Sequence, residues 1–414
     1  MLRLVSLCGI AVMLAICFGC SKNRRAISWR LVGMGLLLQA ALGLTFLYWD
    51  AGNRALQGFG ERVSAFLQLA QGGTSFVFGA LAQGDKVSAV FGPANGFVFA
   101  FMVLPTLIFF SAFMAVLYHV GVMQLIVRGM AKVMVRVMGT SGSESLSACA
   151  NVFVGQTEAP LLIKPFLKNM TLSELHAIMV GGFATIAGGV FALYVQFGVA
   201  AGHLMVGSVM AVPAGLICTK MLWPETERSQ TMGTVSKIET EAYGNVVEAA
   251  AAGAGDGLKL ALNVAAMLIA FLGLVAVLDA MLGWLPGDLS VRALLGWVFW
   301  PIAAVMGVPA GEVSLLAQLL GTKIAMTELV AYSELGPMIQ AQTISPRTAM
   351  IASFALCGFA NIGSVAIQVG GLGALAPERR GELAKLGLRA MFGGAIATCM
   401  TACVAGVLAA DGAS

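Results

Sequence analysis

Residues 151–165 read NVFVGQTEAPLLIKP, and here Gln156, Thr157, Glu158 and Pro160 stand together between two runs that would otherwise suit lipid. The arm before them, residues 145–157, carries no charge but is too short to cross a bilayer, for which about 20 apolar residues are needed. The arm after them, residues 159–168, is shorter still and contains Lys164. Two half-length arms meeting at Gly155-Gln156 predict a re-entrant hairpin that enters and leaves on one side of the membrane. Non-helical backbone at membrane depth is tolerated only where protein buries it or a wet cavity faces it, so the tip implies such a cavity. A carboxylate at the bilayer centre costs about 3 kcal/mol on insertion scales, which makes Glu158 a functional residue unless it merely pairs with a nearby Lys or Arg. Pro160 lacks an N–H and suits the first turn of the second arm. The tip then leaves unpaired backbone groups around Val154, Gly155 and Gln156, the kind of broken helix with which carriers hold solutes and ions.

Composition supports the membrane setting: 59% of residues are hydrophobic and 11% charged, and the mean hydropathy is +0.89. Charge-free runs cover residues 4–21, 31–49, 87–127, 175–219, 260–278, 293–311, 348–377 and 390–410. The run 175–219 is long enough for two crossings, with a break near Gly198 to His203. The expected class is an all-α integral membrane protein with about eight transmembrane helices plus two opposed re-entrant helical hairpins. The first apolar segment, with Arg3 and ending at Cys20, also has the shape of a secretory signal. It is read as a spanning helix because everything downstream is equally apolar. Cysteines, most of them inside apolar runs, are read as packing residues.

Charge placement orients the chain. Lys22, Arg24, Arg25 and Arg30 crowd the first loop, which the positive-inside tendency makes cytoplasmic. Alternate threading then places the N-terminus and residues 50–94 outside, and Arg128, Lys132 and Arg136 inside. The loop 224–255 and the cluster Arg379, Arg380, Lys385 and Arg389 also fall inside, which leaves the C-terminus outside. The string RGMAKVMVRVMG at 128–139 alternates basic and apolar residues as an interfacial helix does. The external stretch is expected to hold a short apolar helix near Val63 to Ala70. The organisation read from this is scaffold helices with an external interfacial segment in 1–127, then the interfacial helix, first hairpin and first repeat core in 128–223. A cytoplasmic linker over 224–255, a scaffold helix in 256–290, and a second hairpin and repeat core in 291–410 complete it.

An internal echo supports two repeats. Residues 182–188 are GFATIAG and residues 358–364 are GFANIGS, with four of seven positions identical. Each sits inside a long apolar run, as either a close-packed helix or a locally unwound one whose carbonyls face a site. Before the first stands GQTEAP. Before the second stand the apolar run 293–308, the break GVPAGE at 307–312, and an arm carrying Lys323, Glu328 and Glu334. By the threading above the two copies run in opposite directions, so the halves form an inverted repeat with a site near the midplane and alternating access.

The string GTSGSESLSACANVFVGQTEAPLLIKPFL, followed by GGFATIAGGV, TELVAY and FALCGFANIGSVAIQVGGLGALAPERR, resembles the concentrative nucleoside transporter family, bacterial sodium-coupled branch, over nearly the whole chain. The resemblance implies a homotrimer in the bacterial inner membrane, each protomer holding its own site between two opposed hairpins and two unwound helices. It implies that Gly155, Gln156, Thr157 and Glu158 read the nucleobase, with Val190 closing one wall. Glu328, Asn361 and Ser364 would read the ribose hydroxyls, with Phe359 against the sugar or base. A sodium (Na+) coupling site would be built from Asn151, the Val154 carbonyl, Thr185 and the Ile186 carbonyl. The chemistry of these side chains agrees: Gln and Glu match the amide-like edge of a base, and Glu328 with Asn361 can hold a cis-diol. Thr185 stands where a relative has Ser, Thr327 where several have Asn, and Gly363 where Ser is frequent, which bears on base preference and affinity.

The expected function is a sodium-coupled symporter importing nucleosides by alternating access. The alternatives are a proton-coupled nucleoside carrier, or a carrier or channel for another small polar solute. The expected partners are the nucleoside, the lipid bilayer and two further copies of the chain, with no nucleic acid. An enzyme is disfavoured, since His119, His176 and His203 form no HExxH or paired arrangement.

Overall fold

Backbone polar groups that meet no water must bond within their own segment, and a chain this apolar accordingly folds as helices. The structure, a computed structural model, describes residues 1–92, 96, 98–235, 243–284 and 289–409. The first helices are α1 (Leu2–Gly19), α2 (Trp29–Gly43, continued as a π-turn through Tyr48), α3 (Asp50–Phe78), α4 (Gly84–Phe91) and α5 (Phe99–Met102). Then come α6 (Leu104–His119), α7 (Val122–Met138), α8 (Gly142–Ala150), α9 (Lys164–Leu167), α10 (Leu172–Ala184), α11 (Gly188–Gln196) and α12 (Ala201–Leu222). The second half holds α13 (Val246–Leu282), α14 (Val291–Ala304), α15 (Val313–Ala325) and α16 (Glu328–Gln340). It ends with α17 (Pro346–Leu356), α18 (Ile362–Leu375) and α19 (Arg380–Leu408).

Both echoes fall on helix breaks. α10 stops at Ala184 and α11 starts at Gly188, and α17 stops at Leu356 and α18 starts at Ile362. Of the two readings open for GFATIAG and GFANIGS, the unwound one therefore holds. Each break follows a pair of short helical arms joined by a tip. In the first half these are α8 and the piece 159–167, where a 3₁₀ turn over Ala159–Ile163 precedes α9. In the second half they are α15 and α16, separated only by Met326 and Thr327.

Several expectations need correction. Six helical stretches among the described residues are long and apolar enough to cross a membrane. The run 348–377 falls short because its break leaves two short helices. α3 extends over 29 residues where a short helix near Val63 to Ala70 was expected, because its glycines and polar residues lie along one amphipathic helix instead of ending it. The piece read as the linker 224–255 is helical from Val246 onward, since its Ala-rich run favours helix. Residues 225–235 fold back on the first hairpin: Ser141 bridges Met232, and the Ser229 hydroxyl donates to Glu174 at 2.6 Å. The interfacial helix begins at Val122, six residues before the basic string. α1 packs on the last helix of the second half, whereas α2 lies mainly against α12 of the first half. Ser6 donates to the Met306 carbonyl at 2.7 Å, and Gln39 donates to the Met210 carbonyl and the Thr401 hydroxyl, each at 3.1 Å.

Several basic residues collect at one end of the bundle. Lys22 lies 3.8 Å above the Trp223 ring and Arg389 5.6 Å from it, while Arg379 donates to the carbonyls of Lys168 and Met170 at 2.9 Å. Arg3 donates to the Ala409 carbonyl at 2.7 Å, which ties the start of α1 to the end of α19. A cavity of about 640 Å³ lined by Met1, Leu56, His203, Pro309 and Ser345 lies beside them.

Each hairpin is tied at its base to the first turn of the following broken helix. In the first half Ser141 and Thr171 cap α8 and α10 with Glu144 and Glu174 in reciprocal capping boxes. Ser143 donates to Glu174 at 3.2 Å, and the buried Lys220 pairs with Glu144 at 2.8 Å. In the second half the Ser345 N–H and hydroxyl donate to Glu312 at 2.8 and 2.6 Å. Partial burial pushes the Glu312 carboxyl up, but the Ser345 and Thr348 hydroxyls and the Ser345 N–H outweigh it and hold it below the usual range. A depressed carboxyl stabilises above its unfolded pKa and loses that contribution as pH falls through the folded value. Glu312→Gln should therefore flatten the fall of melting temperature between pH 6 and pH 3 in detergent; an unchanged profile would remove this contact from the acid response.

α6 and α13 pack closely along their length, and Gly253 and Gly257 permit the approach. A Cβ on Gly253 would lie 2.7 Å from the Ser111 carbonyl oxygen, and one on Gly257 2.7 Å from the Ile108 Cα. This is the small-xxx-small approach of helices in lipid. Gly257→Val should destabilise by roughly 1–3 kcal/mol through overpacking, whereas Gly255→Ala, which meets nothing within 4 Å, should stay within about 0.5 kcal/mol. Thermal melting of the purified variants measures both.

Candidate functional site

The helix breaks bring the two halves together. The Phe359 N–H donates to the Thr185 carbonyl at 3.3 Å, so each break satisfies the other. The first tip joins them, because the Gly188 N–H donates to the Phe153 carbonyl at 3.0 Å. Gly182 and Gly358 permit this approach. A Cβ on Gly182 would lie 2.6 Å from Gln368 Nε2, and one on Gly358 2.6 Å from the Phe183 carbonyl oxygen.

Around this junction the sequence-predicted residues divide into three groups. The first is Glu328, Asn361 and Ser364, all buried. Asn361 Nδ2 donates to Glu328 Oε2 at 3.1 Å, and Asn361 Oδ1 accepts from the Ser364 N–H at 2.8 Å, capping α18. Thr327 caps α16, so Glu328 is fixed in the first turn of its helix. Phe359 stands half-buried at the same break.

The second group is the first tip. Gln156 is buried, and its Oε1 accepts from Gln368 Nε2 at 2.9 Å. Thr157 is exposed and lies against Gly371. Glu158 and Gly155 face a cavity of about 400 Å³ between the tip, the first break and the pair α6 and α13. Phe110, Tyr118, Lys164 and Asp256 line it as well. Gln156 and Glu158 therefore point to different surroundings, and Glu328 and Asn361 are not among the cavity's lining residues. Val190 is buried one residue beyond the cavity's edge.

The third group is Asn151, Val154, Thr185 and Ile186, in and beside the two segments where the first half loses its helical bonding. Asn151 is 1% exposed, and its Oδ1 is buried without a hydrogen-bond partner. Among the described residues the Val154 and Ile186 carbonyls accept no backbone hydrogen bond. The Thr185 hydroxyl donates to the Gly181 carbonyl at 2.9 Å, which leaves its lone pairs free. This set supplies only oxygens, the ligand type a hard cation prefers, and the unpartnered buried Asn151 oxygen fits such an ion.

Four residues were not assigned from sequence. Tyr194 donates its hydroxyl to Glu328 Oε1 at 2.9 Å and stacks on Tyr332, with ring centroids 4.3 Å apart. Tyr332 in turn donates to the Ser353 carbonyl at 2.7 Å. Gln368 also donates to the Met179 carbonyl at 3.1 Å. Lys323 is completely enclosed, bonding the Ala355 carbonyl and the Thr398 hydroxyl, each at 2.9 Å. A lone amide or ammonium within an apolar run was the available signal for Gln368 and Lys323. The tyrosines carried none.

The comparisons with known proteins agree with this architecture. Residues 8–81 match the family described as Na+ dependent nucleoside transporter N-terminus, residues 203–406 its C-terminus, and residues 100–201 the family described as nucleoside recognition. A transporter of Haemophilus influenzae is 44% identical, with 99% of each chain covered. Sodium/nucleoside cotransporter 1 of Mus musculus is 42% identical over 98% of this chain, which spans 64% of that longer protein. CNTnw in an inward-facing, substrate-bound state superposes with a TM-score of 0.94 at 44% identity, covering 99% of both chains. A CNTnw variant in an outward-facing state gives 0.92 at 43% identity, covering 99% of this chain and 98% of that one. The chain belongs to the concentrative, Na+ dependent nucleoside transporter family. That family consists of membrane transporters and not enzymes.

Tyr194→Phe keeps the ring stack but removes one donor from Glu328, a loss of about 1 kcal/mol or roughly fivefold in binding. Calorimetric titration with uridine should register that weakening. Unchanged affinity would mean that Asn361 orients Glu328 alone.

Proposed function

We propose that this protein is a sodium-coupled symporter that imports nucleosides across the bacterial inner membrane by alternating access. The observation that carries the reading is the junction of two inverted helix breaks with an unpartnered buried oxygen, Asn151 Oδ1, in the same half-to-half junction as a carboxylate and amide pair, Glu328 and Asn361. The relatives named for sodium and nucleosides support it, as do solved relatives in both inward- and outward-facing states.

On this reading Gly155, Gln156, Thr157 and Glu158 address the base, with Val190 as a wall, and Glu328, Asn361, Ser364 and Phe359 address the ribose. A site built to pair hydroxyls rejects analogues that lack them, since its own buried groups would go unsatisfied. Asn151 Oδ1, the Val154 carbonyl, the Thr185 hydroxyl and the Ile186 carbonyl would hold the sodium ion. When bound, that ion supplies a positive charge that ties the first tip to the first break. The two short-armed elements act as opposed re-entrant hairpins, gating opposite sides. The pair α6 and α13 serves as scaffold, with its apolar outer face, Leu262, Ile269 and Val277 among others, set against lipid or against the other two copies in a homotrimer. The basic end, with Lys22 and Arg389, lies in the cytoplasm, and both chain termini lie outside.

The test is uptake of radiolabelled uridine into liposomes holding the purified protein, under an inward sodium gradient and, separately, an inward proton gradient. Accumulation driven by sodium is expected. Accumulation driven only by protons would discard the ion site at Asn151 and Thr185, and no uptake under either gradient would redirect the assignment to another solute. Glu328→Gln and Asn361→Ala should each abolish uptake without altering the oligomer, whereas Gln156→Ala should shift base preference more than ribose dependence.

A further inference from the structure

One face of α18 meets both groups of residues assigned to the cargo. Asn361, Ser364, Gln368 and Gly371 follow one another at helical spacing, and the three polar side chains among them are buried. Asn361 donates to Glu328 at 3.1 Å. Further along, Gln368 bonds Gln156 of the first tip, and Gly371 lies against Thr157. Asn361 and Gln368 stand about 10 Å apart along the axis, so one rigid element links the groups addressed to the ribose with those addressed to the base.

An amide side chain can present either its NH2 or its oxygen, and here a backbone carbonyl decides. The Met179 carbonyl can only accept, so Gln368 turns its Nε2 to it, at 3.1 Å. The same Nε2 reaches Gln156 at 2.9 Å, and Gln156 must therefore answer with Oε1. Its own Nε2 is left without a protein acceptor among the described residues. Gly182 makes room for the pair, because a Cβ there would lie 2.6 Å from Gln368 Nε2 and 2.8 Å from Gln156 Cβ. Packing alone does not call for this amide: Gln368 Oε1 is buried without a partner, and a Met would fill the place without that cost.

We propose that Gln368 is a positioning residue for base recognition: it holds Gln156 with Nε2 as the free end, so that the carrier takes nucleosides whose base turns a carbonyl or ring-nitrogen acceptor to that side chain. The inference rests on the nucleoside reading above and adds to it the residue that sets the sense of the Gln156 contact. Without Gln368 the Gln156 amide would be free to turn over, since its two ends have nearly the same shape. Binding would then have to order a group that Gln368 orders beforehand, and preorganised groups bind more tightly. Gln368 acts through Gln156, whereas Asn361 and Ser364 on the same helix address the ribose directly.

The experiment is displacement of radiolabelled uridine from the purified full-length protein at one sodium concentration, with three competitors. These are uridine itself, ribofuranosylbenzene, which keeps the ribose but has no polar base edge, and 3′-deoxyuridine, which keeps the base but lacks one ribose hydroxyl. In Gln368→Met the preference for uridine over ribofuranosylbenzene should fall about fivefold, while the preference for uridine over 3′-deoxyuridine keeps its wild-type value. In a Gln156→Leu background, where no amide remains to be set, Gln368→Met should change neither preference further. The proposal is overturned if Gln368→Met leaves the base preference intact, or if both preferences fall together, as a general loosening of the site would give. A fall of the base preference that is as large in the Gln156→Leu background overturns it too. Should Gln368→Met fail to fold, Gly182→Ala, whose Cβ would displace the same amide pair, is read by the same two preferences. No displaceable uridine binding by the wild type would instead contradict the nucleoside reading, a separate result.

Discussion

The hydrogen bond from the Phe359 N–H to the Thr185 carbonyl organises much of what surrounds it. In a low-dielectric interior a helix cannot simply stop, because each freed N–H or carbonyl costs several kcal/mol if left bare. Here two helices stop beside each other, and an N–H freed at one break pairs with a carbonyl freed at the other. The glycine at 358 is the condition for that contact, since a side chain there would run into the backbone at Phe183 and Ala184, while the glycine at 182 leaves room for the Gln368 and Gln156 side chains. Asn361 can then cap α18 and reach Glu328, because the break leaves it in an extended conformation at a helix start.

Around the junction the two halves share a plan but differ in how they complete it. The first tip is long and irregular, with its helix ending at Ala150 and resuming only as a 3₁₀ turn at Ala159. The second tip is two residues. Length and irregularity give the first half exposed carbonyls and a cavity, whereas compactness gives the second half a fixed array in which Tyr332 stacks on Tyr194, and Tyr194 and Asn361 both donate to Glu328. The bases of the hairpins are tied by carboxylates in both halves, Glu174 in one and Glu312 in the other.

Much of this was legible in the sequence because a membrane interior makes polarity informative. QTEAP and the two GFA motifs were conspicuous as polar or small residues in apolar runs, and the helix breaks fall on them. Length was less legible. Whether α3 would be one long helix, or α13 would begin at Val246, depends on propensity and packing that a polar loop and an Ala-rich helix share at the level of composition. The partners of Glu328 were hidden for a different reason: Tyr194 lies on another helix, and no spacing in the chain announces a contact across 134 residues. Lys323 was visible as a charge, but its assignment to a freed carbonyl required knowing which helix ended where.

The position of α19 has a consequence for how the chain is made. This helix packs against α1, α10, α12 and α17, and it completes polar groups from both early and late segments: Gln39 donates to Thr401, and Arg347 to the Gly406 carbonyl. A ribosome delivers α2 to the membrane long before α19 exists, so during synthesis Gln39 faces lipid or borrows a temporary partner. The early helices therefore enter as loosely associated guests. The enclosed core, with its two matched breaks, is complete only once α19 is in place between α10, α12 and α17.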